Sequence, residues 1–460
     1  MMLSPLQLSS AIPGIIWPPA PHPMGAQLYY QLHYFNYSEK LPPTEILKNQ
    51  FSQLLVLLNF SRQLVPYYQQ KLAKLPSFQA WEALKEAWQD IPLLTREDIQ
   101  QAKEAIFATQ VPAGHEPAEL LSTSGSTGKP VTVKGNIATQ FYWNAISLRN
   151  HLWHGDEFDN SFASIRYTEN KDALPPLGTK FLCWSPATYP IVETGPCYHL
   201  TLCTPEEEAI WLQRINPHYL NCNPSTLREI TLYLAKHGKK LPNLKKVHTH
   251  SEIVEPGLRD LVKEVLRVPL IDNYSSKECG YIALECPVSG YYHVQSENIL
   301  VEILDENNKP CAVDQPGRVV VTVLHNFSSP LIRYDIGDYA IPGDTCQCGR
   351  NLPVLKRILG RKRNMLQMPN GQRFWPAFAS QGVRLMDLLS CSQFQVVQTS
   401  LTELQINVVR ASSFTSSEEK IIRDKLKIIF NYPFNVYFNF VDLIPRSAGG
   451  KFEDFISFIN

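Results

Sequence analysis

From Glu119 onward the chain alternates short β-branched runs with amphipathic stretches, and that alternation narrows the possible folds more than any other feature. Val131 to Val133, Tyr219 to Cys222, Lys246 to Thr249 and Val268 to Tyr274 read as strands, with helical spacing at Ser225 to His237 and Gly257 to Leu266 between them. Strands separated by helices make an α/β core, whose ligands bind beyond the carboxyl ends of the strands. Ahead of this core, residues 45 to 75 and 78 to 106 carry helical spacing through Leu54, Leu55, Leu57, Leu58 and Val65, then Trp81, Leu84 and Trp88. Thr95, with Asp98 three residues later, opens a further helix as a capping pair. A helical N-terminal segment at about 45–106 is therefore expected.

After the core, Ile299 to Leu304 and Arg318 to Leu324 flank the turn residues Asp305-Glu306-Asn307-Asn308, the pattern of a hairpin. Composition changes at Gly360-Arg361-Lys362-Arg363-Asn364, which predicts a division into residues 1–360 and 361–460. The second part reads as a strand pair around Asn370-Gly371, strands Phe394 to Val397 and Leu404 to Val409, a helix Ser416 to Phe430, and a strand Asn435 to Phe440. The whole is α/β, with a small α+β unit at the end.

With 460 residues, 44% of them hydrophobic, the chain can bury more than one core. Lys plus Arg and Asp plus Glu are equal at 43 each, so no global field holds nucleic acid or an anionic membrane. No apolar run approaches a membrane span, and prolines 13, 18, 19, 21 and 23 interrupt an N-terminus that lacks a basic leader, so a cytoplasmic protein is expected. Ten cysteines are too sparse for a secreted disulfide scaffold.

Ser122 to Pro130 reads Ser-Thr-Ser-Gly-Ser-Thr-Gly-Lys-Pro. Gly125 and Gly128 allow a tight turn with exposed amides, Ser124, Ser126 and Thr127 add hydroxyls, and Lys129 adds a charge, a set suited to polyphosphate. Two residues between the glycines and Pro130 after the lysine separate it from a Walker A loop. Asp272 to Glu278 follows a strand, so Glu278 offers a carboxylate for Mg²⁺ and Tyr274 a ring for a base. Arg333 to Asp338 sets two carboxylates beside a glycine turn, suitable for a ribose diol, and Pro445 to Lys451 puts a lysine after a glycine pair. Taken singly, each has an ordinary alternative: a solvated linker, a strand-ending turn, an Asp-Gly turn, a frayed tail.

Taken in order, these segments resemble the adenylate-forming superfamily of acyl-CoA synthetases, peptide-synthetase adenylation domains and luciferases. Ser124 to Lys129 resembles its phosphate loop, Tyr274 to Glu278 its Tyr-Gly-x-Thr-Glu motif, Asp338 its ribose-binding Asp, Gly360-Arg361 its hinge motif, and Lys451 its catalytic lysine in Pro-Arg-x-x-x-Gly-Lys. Val65-Pro66-Tyr67-Tyr68, Ile91 to Asp98 and Leu331-Ile332-Arg333-Tyr334 look most like the phenylacetate–CoA ligase branch. The resemblance implies a large N-terminal multi-sheet AMP-binding domain and a small mobile C-terminal lid turning about Arg363. It further implies that a small carboxylic acid, aromatic or related, attacks ATP to give an acyl adenylate, which CoA or a carrier-protein thiol then takes. Lys451 and Glu278 would be catalytic, with Glu278 on Mg²⁺, and Glu252, Asn273, Tyr274, Ser275, Asp338 and Arg361 would line the adenine and ribose. Three departures stand out: Lys277 where a hydroxyl is usual, Ser275 for glycine, and Arg363 for the frequent hinge Asp.

Cys286, His293, Cys346 and Cys348 form a second constellation, of residue types that suit tetrahedral zinc, although Cys-x-Cys is a tight spacing and four unrelated buried residues is the simpler alternative. Some members of the resembled branch carry a structural zinc of this ligand type. Pocket walls are expected from Tyr142 to Ser147 and Trp184 to Leu200. An amide-forming or nucleotidyl-transferring relative and a nucleotide-binding protein without turnover are the competing readings, and a homodimer is compatible with all three.

Overall fold

The computed structural model describes residues 10–15, 17–123, 130–185, 187–188, 191–376, 391–410, 415–446 and 450–459. Its centre is a twelve-stranded sheet in the order Ile299–Leu304, Gly317–Val323, Tyr334–Pro342, Val354–Arg361, Tyr292–Val294, Gly280–Glu285, Leu270–Ser276, Lys246–Thr249, Tyr219–Cys222, Phe162–Ile165, Cys197–Leu200, Thr179–Phe181. Leu270–Ser276 is the strand on which the sheet changes character. It runs parallel to Lys246–Thr249 on one side and antiparallel to Gly280–Glu285 on the other.

On the parallel side, strands 162–165, 197–200, 219–222, 246–249 and 270–276 are joined through covering helices that include Pro205–Ile215, Pro224–Lys236 and Pro256–Val265. Ala163, Ile165, Leu220, Cys222, Val247 and Leu270 pack with Leu212, Leu227, Ile230 and Val262 in one core, as expected where helices cover such strands. Strands 219–222, 246–249 and 299–304 lie where the sequence pattern puts them. The strand read as Val268 to Tyr274 starts later, at Leu270, because Pro269 has no N–H to give a ladder; its carbonyl still accepts from Val247 N–H at 3.0 Å.

The stretch 78–106 is more broken than its spacing predicts. Helices Trp81–Glu86 and Arg96–Ala102 are separated by extended residues, with Leu94 N–H donating to Arg333 O and Asp335 N–H to Leu94 O, both at 2.9 Å. Thr95 caps the second helix as expected: its hydroxyl accepts from Asp98 N–H at 3.0 Å, and Asp98 accepts from Thr95 N–H at 2.9 Å. A helix at Pro23–Ser38 was not expected among so many prolines. Pro23 sits at its first turn, where a missing N–H costs nothing, and His22 Nδ1 accepts from Met24 N–H.

Residues beyond 390 form a separate four-stranded sheet, Asn435–Val441, Glu403–Arg410, Cys391–Ser400 and Phe455–Ser457, with helix Ser416–Phe430 packed on it through Ile422, Leu426 and Phe430. The last strand, too short to read from sequence, pairs parallel to Cys391–Ser400. The hairpin around Asn370-Gly371 is present as Leu366–Gln367 against Arg373–Phe374.

Arg149, 3% exposed, joins three parts of the large unit. From helix Ile137–Trp153 its guanidinium reaches Glu39 (3.0 Å) beyond the Pro23–Ser38 helix, and Glu297 (3.0 Å) and Gln295 (2.9 Å) beyond strand Tyr292–Val294. Replacing it leaves the half-buried Glu297 without its cation and the buried Glu39 with Arg350 alone, at 3.3 Å. Arg149→Ala is expected to lower unfolding free energy by about 3–5 kcal/mol, measured as a shift in the urea midpoint.

Candidate active site

The switch strand Leu270–Ser276 ends at the carboxyl edge of the parallel half, where an α/β sheet opens a crevice. A bulge between Tyr274 and Ser275 re-aims its last residues. Tyr274 is buried, and its hydroxyl donates to Asp338 Oδ2 at 2.8 Å. Asp338 faces Arg361 across the adjacent strands Tyr334–Pro342 and Val354–Arg361, with Arg361 Nε 3.5 Å from Oδ1. Burial and then the Asp338 carboxylate raise the Tyr274 hydroxyl well above its ordinary pKa, so it remains a donor. Residues far apart in the chain thus meet as a phenol, a carboxylate and a guanidinium. Asp335, the other carboxylate of that segment, is held by Arg318 at 2.6 Å and does not join them.

Lys451 comes to this group from the C-terminal part of the chain. Burial and then Arg361 lower its ammonium pKa, while Asp338, Glu278 and Glu252 oppose the shift. Glu278 itself is buried just past the switch strand, whereas Lys277 is exposed. Asn273 Oδ1 is buried without a hydrogen-bond partner among the described residues, an acceptor suited to an exocyclic amine such as that of adenine. Ser275 lies on the same strand.

Glu252, expected beside adenine, has another occupation. Its Oε2 accepts from Ser225 N–H at 2.9 Å in the first turn of helix Pro224–Lys236, and its Oε1 accepts from Phe452 N–H at 2.7 Å. A carboxylate suits those unsatisfied first-turn amides. The same carboxylate therefore ties the residue after Lys451 to the large sheet. Arg446 adds to the tie through Ser225 Oγ (2.8 Å), Glu229 (3.3 Å) and the carbonyl of Gly450 (3.2 Å). Gly450 has φ +76°, and a Cβ there would stand 2.6 Å from Leu202 Cδ1 and 3.0 Å from Tyr167 Cβ, so glycine alone fits. Arg363, expected as the hinge, pairs with Glu453, while neighbouring Asn364 donates to Phe455 O at 2.6 Å.

Sequence reasoning missed Glu229, Ser225 and Arg446 as a group. The Pro-Arg of the tail was visible, but Glu229 reads as one of many charges on an amphipathic helix, and nothing local pairs it with residue 446. Ser124, Gly125, Ser126, Thr127, Gly128 and Lys129 lie outside the described residues; the strands on either side of them pair antiparallel, with Thr123 opposite Val131. Of the expected pocket walls, Trp184 instead packs in the core against Phe158, Phe162 and Tyr219. Tyr142 stacks on His325 at 3.8 Å and Trp143 tilts on Tyr281 at 4.5 Å.

The ligand atoms of Cys286, His293, Cys346 and Cys348 lie within 4.8 Å of one another. Cys286 Sγ and Cys346 Sγ are 3.8 Å apart. Tetrahedral zinc with Zn–S bonds near 2.3 Å requires about 3.8 Å between sulfurs. His293 Nε2 is 3.1 Å from Cys348 Sγ, and its Nδ1 is 3.3 Å from the Leu352 carbonyl, the outer contact that orients a metal-binding imidazole.

The CapK C-terminal domain family matches residues 380–457. The chain is 28% identical over 288 residues to the acetyl-coenzyme A synthetase of Pasteurella multocida (strain Pm70), covering 55% of this chain and 41% of that one. It therefore spans about two fifths of that relative's length. It is 20% identical over 382 residues to protein CapK of Staphylococcus aureus, covering 78% of each. Among solved structures, 2-hydroxyisobutyryl-CoA ligase in the postadenylation state with 2-HIB-AMP aligns with a TM-score of 0.70 and 18% identity, over 91% of this chain and 90% of that one. The same enzyme in its thioesterification state, with 2-HIB-AMP and CoA, aligns at 0.59. The chain has the fold of these adenylate-forming ligases.

Glu252→Ala would strip the acceptor from two amides at once. Hydrogen bonds to a charged group contribute about 1.5–3 kcal/mol each. Amide exchange at Phe452 is expected to quicken about tenfold or more, read by mass spectrometry.

Proposed function

We propose that this chain is an ATP-dependent acid–thiol ligase of the AMP-forming kind. The observation that carries the reading is the Tyr274–Asp338–Arg361 contact at the carboxyl edge of the sheet, with Lys451 brought to that edge by the Phe452–Glu252 hydrogen bond and influenced by the charges of Arg361, Asp338 and Glu278. In this reading the Asp338 carboxylate accepts from the ribose hydroxyls and the orphaned Asn273 oxygen from the adenine amine. Lys451 lies between the acid's carboxylate and the α-phosphate, stabilising charge as the acyl adenylate forms and pyrophosphate leaves. Residues 124–129 hold the departing phosphates, and Glu278 holds Mg²⁺, which neutralises phosphate charge.

The lid of residues 361–460 then turns about Arg363 away from the AMP-binding domain of residues 1–360. The contacts of Glu252 and Arg446 across the two parts open, and CoA or a carrier-protein thiol takes the acyl group. The closer fit to a postadenylation structure than to a thioesterification structure supports placing the described arrangement at the first step. The acid is aromatic or a related small organic acid, as in the phenylacetate–CoA ligase branch, and Trp143 and Tyr281 supply aromatic surface near Glu278. No helix among the described residues is long and apolar enough to cross a membrane, in keeping with a cytoplasmic ligase.

The four-residue Cys/His group holds a structural zinc, closed by four protein ligands and bracing strand Tyr292–Val294. Lys451→Ala is expected to abolish acid-dependent pyrophosphate release while largely sparing thioester formation from a supplied acyl adenylate. Equal loss of both would remove the role given to Lys451. Metal analysis should find about one zinc per chain, and a zinc-free folded protein would remove that site.

A further inference from the structure

Arg166 stands just past strand Phe162–Ile165, at the same carboxyl edge as the site, with its N–H donating to Leu200 O at 3.1 Å. Its side chain is exposed and forms no ion pair or hydrogen bond among the described residues. The arginines nearest the crevice differ in this, since Arg361 and Arg446 each have a carboxylate partner. Its neighbour Tyr167 packs on Gly450, so Arg166 is set beside the backbone that carries Lys451. His250, hydrogen-bonded through Nδ1 to Asn221 Oδ1 at 2.9 Å, is influenced by the charges of both.

Burial, then Arg166 and Lys451, push His250 down to about 4, and burial followed by Arg166 does the same to His199. Both imidazoles are therefore neutral near pH 7, and beside the carboxylate-paired Arg361 and Arg446 the remaining positive charge here is that of Lys451 and Arg166. Glu252, Asp338 and Glu278 oppose the shift of Lys451, but none pairs with Arg166. An unpaired guanidinium beside an occupied lysine is a ready fork for an anion.

We propose that Arg166 binds a second anionic group on the acid substrate, so that the acids activated are small dianions, such as dicarboxylic acids or carboxylic acids bearing a sulfonate. The proposal rests on the ligase reading above and narrows its substrate. The other anion in such a reaction is the polyphosphate of ATP. The strand that follows residues 124–129 packs with the antiparallel half of the sheet through Val131 and Val133, whereas Arg166 belongs to the parallel half. That placement favours the acid over the phosphates.

The test is acid-dependent pyrophosphate exchange with paired acids differing by one carboxylate: butyrate against glutarate, and phenylacetate against 4-carboxyphenylacetate. The wild-type chain should favour one diacid of a pair by about 10- to 100-fold in kcat/KM. Arg166→Gln should collapse that ratio mainly through KM for the acid, and Arg166→Lys should restore part of it. A ratio near one in the wild type, or one unmoved by Arg166→Gln, overturns the proposal and leaves the ligase reading standing. A rise in KM for ATP with every acid, at an unchanged ratio, would assign Arg166 to the phosphates and overturns it equally. Exchange with no acid of either kind would sink the ligase reading, and the proposal with it.

Discussion

The buried carboxylate of Glu252 is the point on which the arrangement of the site depends. It sits at the end of the Lys246–Thr249 strand and accepts from one amide of the large sheet's covering helix and one amide of the C-terminal segment. A lysine on a glycine-rich tail has no fixed position of its own. Lys451 acquires one because Phe452 is bound to Glu252, Gly450 is wedged against Tyr167 and Leu202, and Arg446 is held by Ser225 and Glu229. All of these are polar or close-packed contacts at a crevice edge. Contacts of this kind hold one geometry firmly and can still be exchanged for another, as the proposed two-step reaction with its lid requires.

The change of strand direction at Leu270–Ser276 supplies the second constraint. On the parallel side the strands bring their carboxyl ends to one edge, and on the antiparallel side Asp338 and Arg361 are set opposite each other by strand register. Tyr274 bridges the halves through its hydroxyl. The aromatic ring is thereby buried, so its part in the site is to fix Asp338 as much as to offer a surface to a base. The sequence offered Tyr274 as a ring for a base, and the fold gives its hydroxyl a hydrogen bond to Asp338.

Much of the secondary structure was legible. Strands such as Tyr219–Cys222 and Ile299–Leu304 have compact β-branched or aromatic runs, and helix Ser416–Phe430 has clear periodicity with a capping box at Thr415. What escaped did so for definable reasons. Prolines before Pro23 disguised a helix that begins on proline, an internal extended bridge to Arg333 interrupted the pattern at residues 91–94, and Phe455–Ser457 is too short to show a period. The proposed zinc ligands were visible as four residue types, but only folding brought their ligand atoms within 4.8 Å.

The sequence by itself determined the class of fold and the order of the motifs, because strand and helix periodicities and glycine-bearing turns are local properties of the chain. It also singled out the residues of the proposed site, since a carboxylate, a phenol and a lysine at those positions resemble a known pattern. Tertiary structure alone decided which of them meet: Asp338 with Tyr274 but Asp335 with Arg318, and Glu252 with Phe452. It alone left Arg166 without a carboxylate partner among the described residues. Pairing of charges between distant segments depends on register and packing across the sheet, and those are set by the whole core.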